Sequence, residues 1–335
     1  MEKYVVGVDL GGTNLKVSAY SFQNLVSVWE HRISTESHEG WEHVMERIYG
    51  EISRLFQEIP REQIACAGIG IPGLLDIETG ISKFSPNFSS WENVPVVKWL
   101  EKRMNLPVYI DNDVRVNLYG EWCRGAGKGK KNVVLLTLGT GLGSGIVMDG
   151  RVLYGATSSA GEIGHMNMIR AGGRPCRCGS SGCLGRYVSA RGLLQTLREK
   201  IEKGMSCVIQ EWVDDDWNQI TAKMVSEAYD AGDFTAIETM TETGEMLGYG
   251  LVNVINLFNP EMIIIGGGMA AAGERLLKPA RNVVKNHALE ISRERCSIVT
   301  AQLGDSAGML GAAIYAKQRL EGEKVGGKNR DENRK

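Results

Sequence analysis

Residues 4–20 read YVVGVDLGGTNLKVSAY, and this stretch decides the fold. Residues 4–10 are β-branched and apolar, which indicates a buried strand. Gly11 and Gly12 then turn the chain, and residues 15–20 predict a second strand. A strand, a glycine turn and another strand are thus the first feature that the sequence specifies.

The second half of the chain repeats this feature. Residues 132–138 (NVVLLTL) predict a strand, GTGLGSG follows it, and a short strand leads to Asp149-Gly150, a strong hairpin signal. After each opening, strands alternate with helices, and two strands joined through a helix favour a parallel βαβ unit. The sequence therefore predicts a duplicated α/β unit with a cleft between the two copies, where small ligands usually bind.

The other predicted elements follow the hydrophobic periodicity. An apolar stripe at helical spacing, ended by Pro60, predicts a helix over 41–58. Further helices are predicted at 94–104, 188–203, 219–231, 234–257 and 307–320, and further strands at 25–31, 64–71, 106–110, 261–267 and 296–301. Residues 165–187 form a Gly/Cys-rich insertion with little periodicity, and residues 321–335 predict a disordered tail.

Composition excludes several classes of protein. The chain has 335 residues, a net charge of −2 and 43% hydrophobic residues, which argues against general disorder and against a surface that is basic throughout. No apolar run approaches the roughly 18 residues of a membrane helix, and Asp9 interrupts the apolar stretch of any signal peptide. Seven cysteines, an odd number, argue against a complete disulfide set. We therefore expect a cytoplasmic protein with reduced thiols that binds neither a membrane nor nucleic acid.

Three glycine-rich segments are candidates for binding phosphate. The 42 glycines exceed the usual share of about 7%, and many fall in DLGGTN (9–14), LGTGLGSG (138–145) and GGG (266–268). Glycine lets backbone N–H groups approach phosphate oxygens closely, and Asp9 suits a Mg²⁺ ion that bridges them. The candidate nucleotide-binding residues are Asp9, Gly11, Gly12, Thr13, Asn14, Lys16, Thr140, Gly141, Gly266, Gly267 and Gly268.

These segments also admit other interpretations. A dinucleotide-binding fingerprint must open a helix, whereas the residues after GTGLGSG predict a hairpin. A Walker P-loop needs GxxxxGK[ST], and the sequence has no such run. Each segment alone is equally consistent with an ordinary turn between secondary-structure elements.

Two further groups of residues indicate chemistry. Asp113 lies where a strand ends and a helix begins, which suits a carboxylate that deprotonates a hydroxyl, or equally a helix N-cap. A Cys₃His set suits a closed tetrahedral Zn²⁺ site, whereas its Cys-x-Cys pair suits a disulfide poorly. The four metal-ligand candidates are His165, Cys176, Cys178 and Cys183.

Four of the motifs together resemble one family. DLGGTN, LGTGLGSG, AGEIGH and CRCGSSGC occur in this order in the ROK family of sugar kinases and repressors, and the resemblance spans about residues 4–318. It implies an actin-like ATPase fold, in which two ribonuclease-H-like α/β domains close over ATP and a sugar. The N-terminal domain is expected at 1–120, joined by the final helix 307–320. The C-terminal domain is expected at 121–306, with a zinc loop at 165–183.

The resemblance also implies roles for individual residues. Asp113 corresponds to the family's catalytic base, and Asn112 beside it to a sugar contact. Further sugar contacts correspond to Asn87, Glu162 and His165. The zinc ion is expected to be structural and, by ligating one ring nitrogen of the histidine, to fix which nitrogen faces the sugar.

Two positions depart from the family pattern. Arg115 stands where many members have a small polar residue, usually asparagine, and its long side chain can line the cleft or point outward. Gly185 stands where the family usually has a glutamate that contacts the sugar. Because a site built to hydrogen-bond a hydroxyl loses heavily when one partner is absent, the preferred sugar is left open.

The resemblance implies an ATP- and Mg²⁺-dependent hexose kinase of carbohydrate metabolism, such as a glucokinase of glycolysis that forms hexose 6-phosphate. Kinases of N-acetylmannosamine, N-acetylglucosamine, fructose or allose are alternatives, and polyphosphate is an alternative donor. A ROK repressor would carry a helix-turn-helix domain before the first strand, and a strand that begins at about residue 4 leaves no room for one. Acidic residues interleave with the basic residues of the tail, which argues against a DNA-binding arm. The family is usually dimeric or tetrameric, so a homodimer or homotetramer is expected.

Overall fold

The computed structural model describes residues 2–85, 87–214 and 216–322 and divides into two compact units. Unit 1 comprises the described residues of Met1–Gly129, Gly150–Ala160 and Gln302–Lys335, and unit 2 comprises those of Lys130–Asp149 and Gly161–Ala301. Residues 121–129, 150–160 and 302–306, which the predicted limits assigned to the C-terminal domain, belong to unit 1. From residue 323 onward, the tail that was predicted to be disordered lies outside the described residues.

Unit 1 is built on a five-stranded mixed sheet with the order β3-β2-β1-β4-β8. The strands of its first segment are β1 (Tyr4–Leu10), β2 (Asn14–Ser21), β3 (Ser27–Ser34), β4 (Ile64–Ile71), β5 (Leu74–Asp76), β6 (Ile81–Phe84), β7 (Glu92–Val94) and β8 (Val108–Asn112). Strand β1 runs antiparallel to β2 and parallel to β4, which is parallel to β8. The carboxyl ends of β1, β4 and β8 therefore meet at one edge, where Gly11, Pro72 and Asp113 follow them.

A small antiparallel sheet, β5-β6-β7, follows β4. Its inner face is closed by the indole of Trp91, which donates a 2.8 Å hydrogen bond to the hydroxyl of Ser82. Trp91 and Ser82 are both buried, and Phe88 packs against the indole with the ring centroids 4.7 Å apart. This sheet holds the loop that carries Asn87.

Helices cover the main sheet of unit 1. They are α1 (Trp41–Glu58), α2 (Val96–Met104), α3 (Asp113–Arg124) and, near the end of the chain, α11 (Ala307–Leu320). Helix α11 approaches the sheet backbone directly, because a Cβ at Gly7 or Gly68 would overlap the carbonyl groups of Met309 and Ala312. Glycine is therefore required where the first parallel strands meet the last helix.

Unit 2 repeats the central part of this arrangement. Its strands are β9 (Val133–Leu138), β10 (Leu142–Met148), β12 (Met262–Gly266) and β13 (Ser297–Thr300), and β11 (Arg151–Val152) lies in the second segment of unit 1. The order β10-β9-β12-β13 consists of one antiparallel and two parallel pairs. The same sequence of pairings occurs in β2-β1-β4-β8 of unit 1, so the predicted duplication is confirmed.

The helices of unit 2 are short except for α5, α8 and α9. They are α4 (Gly185–Val188), α5 (Ala190–Glu202), α6 (Ile209–Trp212), α7 (Ala222–Asp230), α8 (Phe234–Phe258), α9 (Glu274–His287) and α10 (Glu290–Arg293). Gly244 and Gly248 let α8 approach α9 closely, since a Cβ on either would overlap α9. Among the described residues, no helix is both long and apolar enough to cross a membrane.

Most predicted elements are confirmed within a few residues, including the helices at 41–58 and 307–320 and the strand at 64–71. The predicted strand at 25–31 lies instead at Ser27–Ser34, because the chain first turns through Leu25 in a left-handed conformation with φ 57°. The predicted helix at 188–203 is divided at Ser189, whose side chain caps α5 by accepting a hydrogen bond from the N–H of Gly192.

Candidate functional site

The first glycine loop, loop 1 (residues 9–14), joins β1 to β2. A buried threonine holds its backbone by hydrogen bonds. The N–H of Gly11 donates to the carbonyl of Asn14 at 2.9 Å. Thr35 is fully buried and donates its hydroxyl to the carbonyl of Gly11 at 2.7 Å. Its N–H donates to the carbonyl of Thr13 at 2.9 Å. Thr13 itself is exposed, so the loop is fixed on its inner side and open at its tip.

Asp9 and Lys16 form the charged part of this site. The Nζ atom of Lys16 lies 3.9 Å from Oδ2 of Asp9 and 3.3 Å from Oδ1 of Asp305, which Arg32 also contacts at 3.3 Å. Burial raises the pKa of Asp9, Lys16 lowers it, and the negative charge of Asp305 raises it again. A shielded carboxylate beside an ammonium group can hold a cation and the phosphate that accompanies it.

Asn87 lies against loop 1. A Cβ on Gly12 would be 3.4 Å from the Cβ of Asn87. The same part of the chain is tied to the segment after Thr35, because the N–H of Ser89 donates to the carbonyl of Ser37 at 3.0 Å. The predicted sugar contact Asn87 and the predicted phosphate loop therefore belong to one packed group in unit 1.

Asp113 is the first residue of α3, but the helix is capped by its neighbour. The side chain of Asn112 accepts a 3.0 Å hydrogen bond from the N–H of Val114 and donates to the carbonyl of Gly73 at 3.2 Å. Asp113 is partly accessible to solvent, and burial together with the charge of Asp9 raises its pKa to about 6. A carboxyl group with a raised pKa, at the carboxyl end of a parallel strand, is suited to accept a proton near neutral pH.

The side chain of Arg115 points into unit 1 rather than outward. Its side chain is 6% exposed and forms a buried ion pair with Asp111, with 2.6 Å between Nε and Oδ1. Its Nη1 donates to the carbonyl of Ser158 at 2.8 Å, and its guanidinium carbon lies 5.0 Å from the ring centroid of Tyr154. Of the two positions that the sequence left open, the outward one is wrong, because Asp111 at the end of β8 binds the guanidinium group inside unit 1.

The second glycine loop, loop 2 (residues 138–145), contains the turn between β9 and β10. The N–H of Gly139 donates to the carbonyl of Gly141 at 2.9 Å, and the N–H of Ala190 donates to the carbonyl of Gly139 at 2.9 Å. A Cβ on Gly139 or Gly141 would meet no atom within 4 Å, and Thr140 between them is exposed. The turn is therefore anchored at the start of α5 and open on its other side.

The third glycine segment, residues 266–268, follows β12 and packs beside loop 2. Gly267 has φ 80°, and a Cβ there would lie 2.5 Å from the carbonyl oxygen of Leu138. A Cβ on Gly268 would meet nothing within 4 Å. Two of the three predicted nucleotide-binding segments, each with an open side, thus lie next to each other in unit 2.

Glu162 and His165 lie on one helical turn, as their spacing predicted. Residues Ile163–His165 form a 3₁₀ helix, and the N–H of His165 donates to the carbonyl of Glu162 at 3.0 Å. Both side chains are exposed. Ser144 of β10 fixes the turn, because its hydroxyl donates to the carbonyl of Gly161 and accepts from the N–H of Ile163. Residues three apart on a 3₁₀ helix project to the same side.

The predicted Cys₃His set comes together. One ligand atom each from His165, Cys176, Cys178 and Cys183 lies within 4.8 Å of the others. Nδ1 of His165 is 3.7 Å from Sγ of Cys176, and Sγ of Cys178 is 3.7 Å from Sγ of Cys183. Separations of this size match the edges of a tetrahedron with metal–sulfur bonds of about 2.3 Å. The four residues can hold a metal ion, with Nε2 of the histidine directed away from it.

The thiols of this cluster differ in their acidity. A hydrogen bond from the backbone of Ser180 lowers the pKa of Cys178 to about 7, whereas burial raises the pKa of Cys183 to about 12. A metal cation would favour the thiolate form of both. The cysteines Cys66, Cys123, Cys207 and Cys296 are outside the cluster, and all seven cysteines are free of disulfides.

Arg174 connects the predicted zinc loop (165–183) to α5. Its guanidinium group binds the carboxylate of Glu199 at 2.7 and 3.0 Å and the carbonyl of Gly192 at 3.1 Å. It also lies 4.7 Å from the ring centroid of Tyr187. The hydrogen bonds from Arg174 lower the pKa of the Glu199 carboxyl group. The five N–H donors of an arginine allow one side chain to bind several groups of the loop and of α5 at once.

Gly185, which replaces the glutamate expected from the resemblance, packs closely against Gly164 and Leu142. A Cβ there would lie 3.3 Å from the carbonyl oxygen of Gly164 and 3.4 Å from the Cβ of Leu142. The absent side chain thus lets α4 approach the turn that carries Glu162 and His165. No carboxylate is supplied from this position.

The structure therefore groups the predicted site residues within each unit. Unit 1 brings loop 1, Asn87, Asn112 and Asp113 to the carboxyl edge of its sheet, and unit 2 holds loop 2, residues 266–268, Glu162 and the metal-ligand set. Sequence reasoning missed Thr35 and Asp305. Each lies far along the chain from the residue that it holds, 24 residues from Gly11 and 289 residues from Lys16, and no motif marks it.

The chain is similar to known proteins over most of its length. The ROK family model matches residues 5–319. A glucokinase from Halalkalibacterium halodurans is 35% identical over 95% of this chain and 96% of that protein. A xylose repressor from Caldicellulosiruptor bescii is 30% identical over 92% of this chain and 76% of that protein. The solved structure of a ROK glucokinase from Streptomyces griseus, in complex with glucose and AMPPNP, superposes with a TM-score of 0.78, 30% identity and coverage of 94% and 99%.

This likeness confirms the actin-like α/β fold that the resemblance implied. The motifs that carried the resemblance lie in the two glycine loops, the turn of Glu162 and His165, and the predicted zinc loop (165–183). The family match covers nearly all of the residues that the structure describes. The chain belongs to the ROK family.

Proposed function

We propose that this protein is an ATP-dependent hexose kinase that transfers the γ-phosphoryl group to the 6-hydroxyl of a hexose, with glucose as the first candidate. The observation that carries this proposal is the pairing of Asp113 with loop 1. A carboxyl group with a pKa of about 6 lies at the same sheet edge as Asp9 and its glycine loop, and the two carboxylates influence each other electrostatically. Phosphoryl transfer needs such a base beside a phosphate-binding site.

The proposed roles in unit 1 follow from position. Asp113 would accept the proton of the attacking hydroxyl, and the backbone of loop 1 would donate hydrogen bonds to phosphate oxygens. Asp9 would hold Mg²⁺, which when bound neutralises charge on the transferred phosphate. Lys16 would supply a second positive charge there. Asn87 would hydrogen-bond the sugar, and Asn112, whose side chain caps α3, would orient Asp113 as well as contact the sugar.

The proposed roles in unit 2 concern nucleotide and sugar. Thr140, Gly141 and residues 266–268 would bind the nucleotide on their open sides. Glu162 and His165 would bind sugar hydroxyls. A zinc ion on Nδ1 of His165 would be structural, and would leave Nε2 to face the sugar.

Two observations favour other candidates. Gly185 supplies no carboxylate, which favours a hexose other than glucose, such as N-acetylmannosamine, N-acetylglucosamine, fructose or allose. The 30% identity to a xylose repressor favours a sugar-responsive regulator as a second class. Retention of Asp113, Asp9 and both glycine loops favours the kinase, because phosphoryl transfer requires a base and groups that hold the phosphates.

A panel of sugars and donors tests the proposal. ADP release should be measured with glucose and the four alternative sugars, with and without Mg²⁺, and phosphate transfer from polyphosphate should be measured in parallel. The expected result is Mg²⁺- and sugar-dependent ADP release that Asp113→Asn abolishes. Absence of transfer to every sugar from either donor, by a folded protein that binds a sugar, would reject the kinase and leave the regulator.

A further inference from the structure

The departure at Arg115 creates a buried cluster beside the proposed base. Asp111 is fully buried, and its Oδ1 accepts hydrogen bonds from Nε of Arg115 at 2.6 Å and from the N–H of Asn112 at 2.7 Å. Its Oδ2 accepts a hydrogen bond from the hydroxyl of Tyr154 at 2.5 Å. That hydroxyl is also 3.2 Å from the hydroxyl of Tyr119. A buried carboxylate with this many donors is rigidly placed.

The cluster fixes the end of β8 through Asp111. The N–H that Asp111 binds belongs to Asn112, the residue that caps α3 and precedes Asp113. Movement of the Asp111 carboxylate would therefore move the backbone from which the proposed base projects. Arg115 is the only cation in hydrogen-bond contact with this carboxylate among the described residues, so it neutralises the charge that burial makes costly.

The cluster also fixes a second segment, residues 154–160 of unit 1. Nη1 of Arg115 binds the carbonyl of Ser158, which has a left-handed backbone with φ 58°. Left-handed conformations are uncommon for residues other than glycine, asparagine and aspartate, and the hydrogen bond from Arg115 helps to stabilise this one.

We propose that Arg115 is a positioning residue for sugar binding: it holds the Asn112 backbone through Asp111, and so places Asn112 and Asp113, and it holds the Ser158 backbone directly within unit 1. This inference rests on the proposed function. Asparagine is too short to reach both Asp111 and Ser158 from position 115, so the arginine adds a connection between the two segments. Arg115 itself touches neither sugar nor ATP in this proposal.

Two variants separate the effect of the positive charge at position 115 from the effect of its hydrogen bonds to both Asp111 and Ser158. Arg115→Lys keeps a cation for Asp111 and loses the planar group that binds two partners at once, whereas Arg115→Gln loses the charge as well. Arg124→Gln is the matched control, because Arg124 lies on the same helix and, among the described residues, donates at the surface to the carbonyl of Asn24. The control should behave as wild type.

The measurements are the KM for glucose, or for the panel sugar with the highest turnover, the KM for ATP, and hydrogen exchange over residues 154–160. We expect Arg115→Gln to raise the sugar KM at least about tenfold and the ATP KM less than about twofold, with Arg115→Lys in between. Exchange at 154–160 should accelerate in both variants and stay unchanged over loop 1. A structural role alone would change both KM values and exchange in all parts of unit 1.

The outcomes distinguish this inference from the proposed function. If wild type transfers phosphate to no sugar, the kinase proposal fails, and sugar binding by calorimetry replaces the sugar KM in the test of Arg115. If wild type is active and Arg115→Gln folds with an unchanged sugar KM, the positioning role is overturned. If Arg115→Gln does not fold, the sugar KM is measured for Arg115→Lys and Tyr154→Phe instead. An unchanged sugar KM in both variants overturns the positioning role.

Discussion

The carboxyl group of Asp9 lies against Gly308 in the first turn of α11, so closely that a Cβ on Gly308 would be 2.6 Å from the carboxyl carbon. Separations this short do not occur between real side chains, so one of the two groups must move if a methyl group is added. The helix backbone is the more rigid of the two. We therefore expect Gly308→Ala to displace the Asp9 carboxylate and to lower kcat/KM for ATP at least about tenfold.

Gly50→Ala is the control for this substitution. Gly50 lies in α1, and a Cβ there would meet nothing within 4 Å. That variant should keep full activity and gain about 0.5–1 kcal/mol of stability from its higher helix propensity. Steady-state kinetics of both variants check the prediction, and equal activity of Gly308→Ala and wild type would contradict it.

The pH dependence of turnover should follow Asp113. Burial and Asp9 raise its pKa from 3.8 to about 6, and only the ionised form can accept a proton. Turnover should therefore fall as the pH decreases through about 6. Asp113→Asn should lose at least about a hundredfold in kcat while retaining sugar binding. A kcat that is constant between pH 5 and pH 8 would exclude Asp113 as the base.

The same group should make stability depend on pH. Because the folded pKa is above the unfolded value of 3.8, the unfavourable ionisation of Asp113 destabilises the folded state increasingly as the pH rises from 3.8 to about 6. Asp113→Asn removes this effect. Its melting temperature should exceed that of wild type at pH 8, and by less at pH 5. Thermal unfolding at the two pH values measures the difference, and a less stable variant at pH 8 would refute the prediction.

Zinc should be present at one ion per chain and should support sugar binding. Cys178→Ser removes an exposed ligand, so we expect loss of the metal and a higher sugar KM, because His165 would no longer be fixed. Cys296→Ser is the control, since Cys296 is outside the cluster. Elemental analysis and sugar titration of both proteins test this. An active wild-type protein without zinc would contradict it.

Glu121 should contribute to stability without touching the site. Its buried carboxylate accepts hydrogen bonds from the N–H groups of Gln302, Leu303 and Ala126 at 2.9, 2.7 and 3.0 Å. Glu121→Gln places an amide N–H against one of these donors, so unfolding should be easier by about 2 kcal/mol. Glu202→Gln, which affects only an exposed pair with Arg198, should change stability by less than about 0.5 kcal/mol. Denaturant unfolding compares the two, and equal losses would contradict the role of Glu121.

Much of the framework could be predicted because its signals are local. The apolar stripe of residues 41–58 and the β-branched run of 4–10 each specify an element without reference to the rest of the chain. The metal-ligand set could also be predicted, because three closely spaced cysteines and a histidine are typical of a zinc site. The sheet β5-β6-β7 could not be predicted, because strands of three or four residues carry little periodic signal and depend on side-chain packing such as the contact of Trp91 with Ser82.

The glycines show the limit of motif reading most clearly. Gly68 and Gly70 lie in the strand GIGI, and a Cβ on them would overlap α11 and the side chain of Val116 in α3. Their requirement comes from helix packing, which only tertiary structure reveals. The role of Arg115 likewise depends on tertiary structure, because no sequence pattern predicts its contact with Ser158, 43 residues away.

Thr35 changes what a glycine-rich loop implies for affinity. A chain segment with two successive glycines has more conformational entropy to lose on binding than any other, and a ligand that orders it binds more weakly in proportion. The two hydrogen bonds of Thr35 to Gly11 and Thr13 remove that freedom when the protein folds. Loop 1 would therefore meet the proposed phosphate ligand already ordered, and more of the interaction energy would remain as net affinity.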